Sequence, residues 1–317
     1  MRPAPPHAVP GFLSVTDLGP GAIGAVLDAA AAFRDGRVAP DAARPLAGAH
    51  VAILLAKPSL RTRVSFEVAV ARLGGEALVL TGNEVGIGSR EEPGDIGRVL
   101  GRYVDAIVAR VFAHSVLGAL ADGSGVPVIN ALSDAEHPCQ ALADLFVLRD
   151  HLGPLAGRRL VYLGDGNNVA ASLLLACASV GMHVRVVTPP GYGPDAAIVA
   201  RARALGAAHG SEVELRTEPA GAAVGADAVY TDVWASMGQE AEADARRPVF
   251  APYQVNAALL ADAPDARVLH CLPAHRGEEI AADVLDGPRS IVFDQAEARL
   301  WVQMAILARL VRPRRPL

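Results

Sequence analysis

The sequence predicts an α/β protein with two doubly wound parallel-sheet domains joined by bridging helices. Short apolar runs rich in β-formers alternate with helical stretches along most of the 317 residues. The runs are continuously apolar rather than alternating, which is typical of parallel strands that helices cover on both faces. At 51% hydrophobic residues, a chain of this length can bury two cores.

The predicted elements fall into two sets of strand-helix units. Strands are expected first at Val51–Leu55, Ala77–Leu80, Ala106–Ala109 and Val126–Ile129, then at Arg159–Leu163, Val184–Thr188, Ala228–Thr231, Val268–Leu272 and Ser290–Phe293. Helices are expected at Val64–Leu73, at His137–His151 between the two sets, and at Gln295–Val311. The predicted domains are therefore residues 1–136, an interdomain helix at 137–151, residues 152–288, and a C-terminal strand and helix at 289–317 that return to the first domain.

Composition excludes several classes of function. The net charge is −5, and the short basic tail Arg309–Arg315 resembles the end of a helix, so no nucleic-acid partner is expected. Met1–Pro10 holds four prolines and no apolar run, which predicts a loose arm and no secretory signal. No window is long and apolar enough for a membrane span. The cysteines Cys139, Cys177 and Cys271 form no CxxC pair, so neither a disulfide framework nor a structural zinc site is expected, and the cytoplasm is the predicted location.

The run Lys57-Pro58-Ser59-Leu60-Arg61-Thr62-Arg63 follows the first predicted strand and opens a helix. The first N–H groups of a helix have no intrahelical acceptor, and hydroxyl and guanidinium groups add donors beside them. The run therefore predicts a phosphate site. The alternative is that Arg61 and Arg63 are solvated residues of a first helical turn, but cations there oppose the helix dipole.

Polar residues also follow the other predicted strands. They are Arg110, Asp165–Asn168, Asp232–Gly238 and His270–Pro273. Ligands of open parallel sheets bind beyond the carboxyl ends of the strands, so these positions predict a cleft between the two domains.

His137 and Gln140 are three residues apart and share a face of the predicted interdomain helix. An imidazole N–H and a side-chain amide aimed at one spot can polarise a carbonyl oxygen, as an oxyanion hole does. A capping or core histidine is the alternative.

The turn Leu163–Val169 allows a dinucleotide-binding alternative, since it follows a strand and precedes a helix. Valine stands at the third glycine position of G-x-G-x-x-G, and Asn167 and Asn168 suit a small zwitterion better than a pyrophosphate. Asparagines that only form the turn are an open alternative.

The segment Asp232–Gly238 carries a carboxylate and a hydroxyl in a loop long enough to close over a ligand. Asp232 is a candidate acceptor for an ammonium group, or else an ordinary helix cap. The run His270–His275 suggests metal ligands, but adjacent strand residues point to opposite sides, and no further Cys or clustered acidic partner completes a tetrahedral set, so zinc is rejected.

Four motifs, taken in order, resemble the signature set of ornithine carbamoyltransferases. They are Ser59-Leu60-Arg61-Thr62-Arg63, His137-Pro138-Cys139-Gln140, Asp232-Val233-Trp234-Ala235-Ser236-Met237-Gly238 and His270-Cys271-Leu272-Pro273. The first two resemble the wider carbamoyltransferase family, and the last two are specific to its ornithine branch.

The resemblance implies conversion of carbamoyl phosphate and L-ornithine to L-citrulline and phosphate, in arginine biosynthesis. It implies a carbamoyl phosphate domain, an ornithine domain, a homotrimer or multiple of trimers, and no cofactor or metal. By position, the phosphate ligands would be Ser59, Leu60, Arg61, Thr62 and Arg110, with His137 and Gln140 on the carbamoyl oxygen. The ornithine backbone would be held by Asn168, Asp232, Ser236 and Met237, and the reacting centre would be lined by Cys271, Leu272 and Arg299.

The implied mechanism is direct attack of the ornithine δ-amine on the carbamoyl carbon, so Cys271 is not expected to act as a nucleophile.

Departures from the family pattern keep two alternatives open. Leucine replaces a frequent threonine at Leu60, and the residues Ala56, Ala298 and Gly86 replace a common glutamate, asparagine and glutamine. The alternatives are a paralogue acting on putrescine, lysine or an N-acylornithine, and a catalytically silent subunit.

Overall fold

The computed structural model describes residues 11–39, 42–235, 238 and 240–313. The predicted loose arm Met1–Pro10 and the predicted ornithine ligands Ser236 and Met237 lie outside the described residues. The chain divides into two compact units. Unit 1 comprises Met1–Cys139 and Arg299–Leu317, and unit 2 comprises Gln140–Ala298.

Unit 1 is built on a parallel sheet of four strands in the order β2-β1-β3-β4. The strands are His50–Leu55 (β1), Glu76–Thr81 (β2), Ala106–Arg110 (β3) and Val128–Leu132 (β4). The helices are Pro20–Arg34 (α1), Leu60–Arg72 (α2), Gly82–Val85 (α3), Pro93–Tyr103 (α4) and His114–Ser124 (α5), with a 3₁₀ turn at Val15–Asp17.

Unit 2 is built on a parallel sheet of five strands in the order β7-β6-β5-β8-β9. The strands are Arg159–Leu163 (β5), His183–Val187 (β6), Val213–Arg216 (β7), Ala228–Thr231 (β8) and Arg267–His270 (β9). The remaining helices of the chain are Pro138–Leu152 (α6), Asn168–Ser179 (α7), Ala196–His209 (α8), Ala243–Phe250 (α9), Ala257–Leu260 (α10), Ala282–Leu285 (α11) and Val292–Leu310 (α12), with 3₁₀ turns at Glu240–Glu242 and Ala251–Tyr253. Helices α6 and α12 each cross a boundary between the units.

The two parallel sheets with flanking helices confirm the predicted fold class. The central strands are apolar on both faces because both faces are buried. Residues Val51–Leu55 of β1 and Leu160–Leu163 of β5 are buried throughout. Two of the four edge strands differ, since no residue of β2 or β7 is buried. Polar and apolar residues alternate in β7, so the sequence shows no continuous apolar run there, whereas β2 keeps the apolar run Ala77–Leu80 from which it was predicted.

Three predicted strands differ from the structure. The strand predicted at Val126–Ile129 lies two residues further on, at β4. The strand predicted to continue to Leu272 ends at His270, because Leu272 has a φ of 59° and so leaves the extended region. The strand predicted at Ser290–Phe293 does not form: Ser290 makes a single bridge to Val268, and α12 begins at Val292 with Asp294 in its first turn, where an acid favours a helix start.

No helix among the described residues combines the length and the apolar character that crossing a bilayer would require.

Candidate functional site

The sheet order of unit 1 fixes where its ligand crevice lies. Strand β1 is flanked by β2 on one side and β3 on the other, so the chain winds in opposite directions from β1. A crevice forms beyond the carboxyl ends of strands at such a switch point. The segment Ser59–Arg63 follows β1, and Arg110 is the last residue of β3. The predicted phosphate ligands therefore meet at one end of the sheet.

Helix α2 begins with a serine cap that ties its first turn together. Ser59 is the N-cap; its Oγ accepts a hydrogen bond from the Thr62 backbone N–H at 3.4 Å and donates to Thr62 Oγ1 at 3.0 Å. Leu60 starts the helix with its side chain 74% exposed, so the backbone N–H is the group it offers a ligand. The leucine that replaces threonine here therefore leaves the backbone donor in place.

Two guanidinium groups converge on these hydroxyls. Arg110 Nη1 donates to Ser59 Oγ at 3.0 Å and to Thr62 Oγ1 at 3.4 Å. Arg299 Nη2 donates to Thr62 Oγ1 at 3.1 Å, and both Thr62 and Arg299 are buried. Fixed cations at a helix N-terminus form an anion-binding site.

The guanidinium groups of this cluster act electrostatically on His137. Burial lowers the pKa of its imidazole well below the ordinary value, and Arg299, Arg110 and Arg61 lower it further. The ring is therefore neutral at neutral pH, and it can donate a hydrogen bond without carrying a charge. Helix α6 begins at Pro138, so His137 is the residue directly before the helix.

Arg63 does not join the cluster. Its Nε lies 3.3 Å from Glu67 Oε2, one helical turn on, and its side chain is 54% exposed. The alternative interpretation of a solvated helical arginine is correct for this residue.

In unit 2 the switch point lies between β5 and β8. Asn167 caps α7: its Oδ1 accepts from the backbone N–H groups of Val169 at 2.9 Å and Ala170 at 3.2 Å. Its Nδ2 donates to Asp232 Oδ2 at 2.9 Å, which joins the ends of the two strands. Turn formation therefore describes Asn167, whereas Asn168 is the first residue of α7.

The glycine-rich turn after β5 packs against its own unit. The Gly166 N–H donates to the Tyr192 carbonyl at 2.8 Å, and a Cβ on Gly166 would clash with the backbone of Pro194. Asp165 accepts from Arg246 Nη1 at 2.9 Å in a buried pair. The place where a dinucleotide fold brings pyrophosphate against the glycine is filled by this loop, which contradicts the oxidoreductase alternative.

Asp232 is a buried carboxylate at the end of β8 and does not cap a helix. Besides Asn167, it is contacted by Cys271, whose Sγ donates to Asp232 Oδ1 at 3.0 Å. Burial raises the pKa of the Cys271 thiol well above its ordinary value, and the Asp232 charge raises it further. Cys271 is therefore a protonated thiol, which agrees with the prediction that it is no nucleophile.

For the carbamoyl transfer that the resemblance implies, we expect Cys271→Ser to keep turnover within about tenfold of the unsubstituted protein, because serine retains a donor to Asp232. Steady-state kinetics would test this. Complete loss of turnover with intact binding of both substrates would reopen a covalent route.

His270 is held by hydrogen bonds on both ring nitrogens. Nδ1 accepts from the Leu272 N–H at 2.8 Å, so Nε2 is the protonated nitrogen that donates to Glu279 Oε1 at 3.0 Å. His270 and Glu279 are both fully buried. The pair fixes the turn that carries Leu272. Nothing in the sequence pattern marks Glu279, since an acid that follows a glycine and another acid is typical of a surface loop.

One premise of the argument against zinc, that the adjacent residues His270 and Cys271 point to opposite sides, is wrong. Asp232, His270 and Cys271 offer ligand atoms within 4.8 Å of one another, but these three groups do not complete a tetrahedral set. The rejection also has a structural basis: His270 would have to give up one of its two hydrogen bonds to bind a metal.

Gly86 ends α3 with a φ of 64°, and a Cβ at this position would lie 2.7 Å from Arg90 Cβ. The local backbone therefore favours glycine over the glutamine that the resemblance implies at this position.

The chain matches two domain profiles in order. The profile described as "Aspartate/ornithine carbamoyltransferase, carbamoyl-P binding domain" matches residues 11–150. The profile described as "Aspartate/ornithine carbamoyltransferase, Asp/Orn binding domain" matches residues 156–310.

The chain is also similar to individual proteins. It is 55% identical over 304 residues to an ornithine carbamoyltransferase of Acidothermus cellulolyticus, covering 95% of this chain and 96% of that protein. It is 52% identical over 266 residues to the anabolic ornithine carbamoyltransferase of Pyrococcus furiosus, covering 84% of each. The solved structure of an ornithine carbamoyltransferase from Pyrococcus furiosus matches with a TM-score of 0.91 at 48% identity, over 96% of this chain and 97% of that one.

Proposed function

Since the chain belongs to the aspartate/ornithine carbamoyltransferase family, we propose that it transfers the carbamoyl group of carbamoyl phosphate to the δ-amine of L-ornithine. The products are L-citrulline and phosphate. One observation carries the proposal for unit 1: Arg110 and Arg299 are held on Ser59 and Thr62 at the N-terminus of α2. Such a cluster stabilises a phosphate dianion both as substrate and as leaving group.

We propose two side chains, His137 and Gln140, as partners of the carbamoyl group. His137, which is neutral, is suited to donate to the carbamoyl oxygen as negative charge develops there in the tetrahedral transition state. Gln140 Nε2 donates to Asp144 Oδ1 at 2.8 Å. We propose, from its place in the His137–Gln140 motif, that Gln140 also lies beside His137 on the carbamoyl oxygen.

The ornithine ligands are proposed in unit 2. Asp232 is suited to pair with the α-ammonium group, because its carboxylate is buried and held by neutral donors from Asn167 and Cys271. Asn168, Ser236 and Met237 complete the proposed set by their places in the family motifs. Cys271, Leu272 and Arg299 are proposed at the reacting centre on the same basis.

The attacking amine must be neutral. A lysine-like amine has a pKa of about 10.4, so its deprotonation at neutral pH costs about 4 to 5 kcal/mol. We therefore expect kcat/KM for ornithine to rise with pH from about pH 6 to about pH 9. The lowered pKa of His137 keeps that ring neutral over this range, so titration of His137 does not change kcat/KM between these pH values. A pH profile of kcat/KM tests this, and a flat profile would contradict it.

We propose a homotrimer or a multiple of trimers, a cytoplasmic location and the synthetic direction. The anabolic name of the Pyrococcus furiosus relative supports a place in arginine biosynthesis.

The deciding experiment is citrulline formation from carbamoyl phosphate and ornithine, run beside putrescine, lysine, aspartate and N-acetylornithine. Strong preference for ornithine is the expected result. Preference for another amine would overturn the role of Asp232, and no turnover with any amine would favour the silent-subunit alternative.

A further inference from the structure

A histidine and two acids meet in the turn that follows β9 in unit 2. Ligand atoms of His275, Glu278 and Glu279 all lie within 4.8 Å of one another. Both acids lie outside the run His270–His275 that is rejected as a zinc site, and none of the three residues is a proposed substrate ligand. An imidazole with two carboxylates is a ligand set that suits first-row divalent transition metals.

Glu279 is the buried member of this group. Its Oε1 accepts hydrogen bonds from His270 Nε2 at 3.0 Å and from the His275 backbone N–H at 2.6 Å. The other oxygen, Oε2, is also buried and has no hydrogen-bond partner among the described residues. Oε2 faces His275 Nδ1 at 3.7 Å, which is beyond hydrogen-bond distance. A buried carboxylate oxygen without a donor is unfavourable, so this atom points to a ligand that lies against it.

The other two members are exposed enough to adjust their positions. The side chains of His275 and Glu278 are 55% and 36% exposed. Glu278 divides its oxygens between two neighbours: Oε1 accepts from Arg247 Nη2 at 3.1 Å, and Oε2 lies 4.0 Å from His275 Nδ1. Bonds of about 2.0–2.2 Å to a tetrahedral ion place ligand atoms about 3.4 Å apart. Short movements of two exposed side chains toward the fixed Glu279 are therefore enough to close the site.

The backbone of the turn holds the three ligands on one side. Gly277 has a φ of 89°, which lets the chain reverse between His275 and Glu278. The Glu278 N–H donates to the His275 carbonyl at 2.9 Å, and the Gly277 N–H donates to the Ile280 carbonyl at 2.8 Å. The ligands are therefore ordered by folding, which lowers the entropy cost of binding an ion.

We propose that His275, Glu278 and Glu279 bind a divalent transition-metal ion of the class of Zn²⁺, with water in the remaining positions. The inference goes beyond the proposed carbamoyl transfer and does not rest on it. Mg²⁺ and Ca²⁺ prefer sets of oxygen ligands, so the imidazole favours a transition metal. Because Glu279 also holds His270 at the end of β9, a bound ion stabilises this turn of unit 2.

The test is Zn²⁺ binding to the untagged, metal-free, full-length protein, measured by isothermal titration calorimetry without substrates. His275→Ala and Glu278→Gln each remove one ligand and should raise the Kd of a saturable site by about tenfold or more, since losing even an outer partner of a metal ligand costs about 10- to 100-fold. His209→Ala is the matched control, because His209 is an exposed histidine at the end of α8 and outside the group. Its Kd should stay within about threefold of the unsubstituted protein.

Thermal unfolding supplies a second measurement and shows that the variants are folded. Zn²⁺ should raise the Tm of the unsubstituted protein and of His209→Ala, and should raise it much less for His275→Ala.

The group Asp232, His270 and Cys271 is the competing location for an ion. Co²⁺ distinguishes the two, because a thiolate ligand gives an intense charge-transfer band in the near ultraviolet and nitrogen and oxygen ligands do not. The first equivalent of Co²⁺ should bind without that band, and equally well in Cys271→Ser. A thiolate band with the first equivalent, Zn²⁺ binding unchanged in both His275→Ala and Glu278→Gln, or no saturable binding by the unsubstituted protein would each overturn the proposal.

Discussion

Arg110→Met is expected to lower kcat/KM for carbamoyl phosphate by about 10²- to 10³-fold. Arg110 is held on the hydroxyls of Ser59 and Thr62 at the start of α2. Each charge-assisted hydrogen bond to a phosphate is worth about 1.5–3 kcal/mol, and the loss grows as charge moves onto the leaving phosphate. Steady-state kinetics with carbamoyl phosphate as the varied substrate measures the effect, and thermal unfolding checks that the variant is folded.

The matched control is Arg63→Met, on the same helix. It removes the same charge, but Arg63 is exposed and pairs with Glu67. Surface changes of this kind alter free energies by less than about 0.5 kcal/mol, so kcat/KM should fall by less than about threefold. Similar losses in both variants would mean that net charge, rather than contact at the helix start, governs phosphate binding.

The contrast between Arg110 and Arg63 shows what sequence could predict. A strand followed by Ser59 and Thr62 at a helix start is a local pattern, and residue types alone predict an N-cap and an anion site. Which guanidinium groups reach that site depends on the sheet order and on α12, which brings Arg299 to Thr62 from more than two hundred residues away. No local pattern contains that information.

The residue at which α7 begins decides the roles of the two asparagines after β5. Asn167 caps α7 and Asn168 begins it, and the two positions are equally good caps by composition. Edge strand β7 and the start of α12 were missed for a related reason: partly exposed segments carry no strong apolar period.

Buried acids were the least predictable part of the site. Asp144 and Glu279 are fully buried, although acids on a helix and in a turn are ordinarily exposed. Each accepts a hydrogen bond from a residue of another element, Asp144 from Gln295 of α12 and Glu279 from His270 of β9. Their burial is a product of tertiary packing.

Asp232→Asn is expected to lower kcat/KM for ornithine by about 10²- to 10³-fold. The Asp232 carboxylate is buried and held by Asn167 and Cys271, neither of which carries a compensating charge. Removing one partner of a buried charge pair costs about 2–5 kcal/mol, so an ornithine ammonium that loses Asp232 binds far more weakly. Initial rates with ornithine and with carbamoyl phosphate varied in turn measure the change, which should fall mainly on ornithine.

Norvaline identifies which amine Asp232 contacts, because it carries the α-amino acid group of ornithine and lacks the δ-amine. If Asp232 pairs with the α-ammonium, Asp232→Asn raises the inhibition constant of norvaline by about the same factor as KM for ornithine. An unchanged norvaline constant beside a raised ornithine KM would move Asp232 to the δ-amine and overturn the assignment. Asp195→Asn is the control, since Asp195 is an exposed cap of α8 and asparagine caps a helix equally well, so both constants should stay as in the parent enzyme.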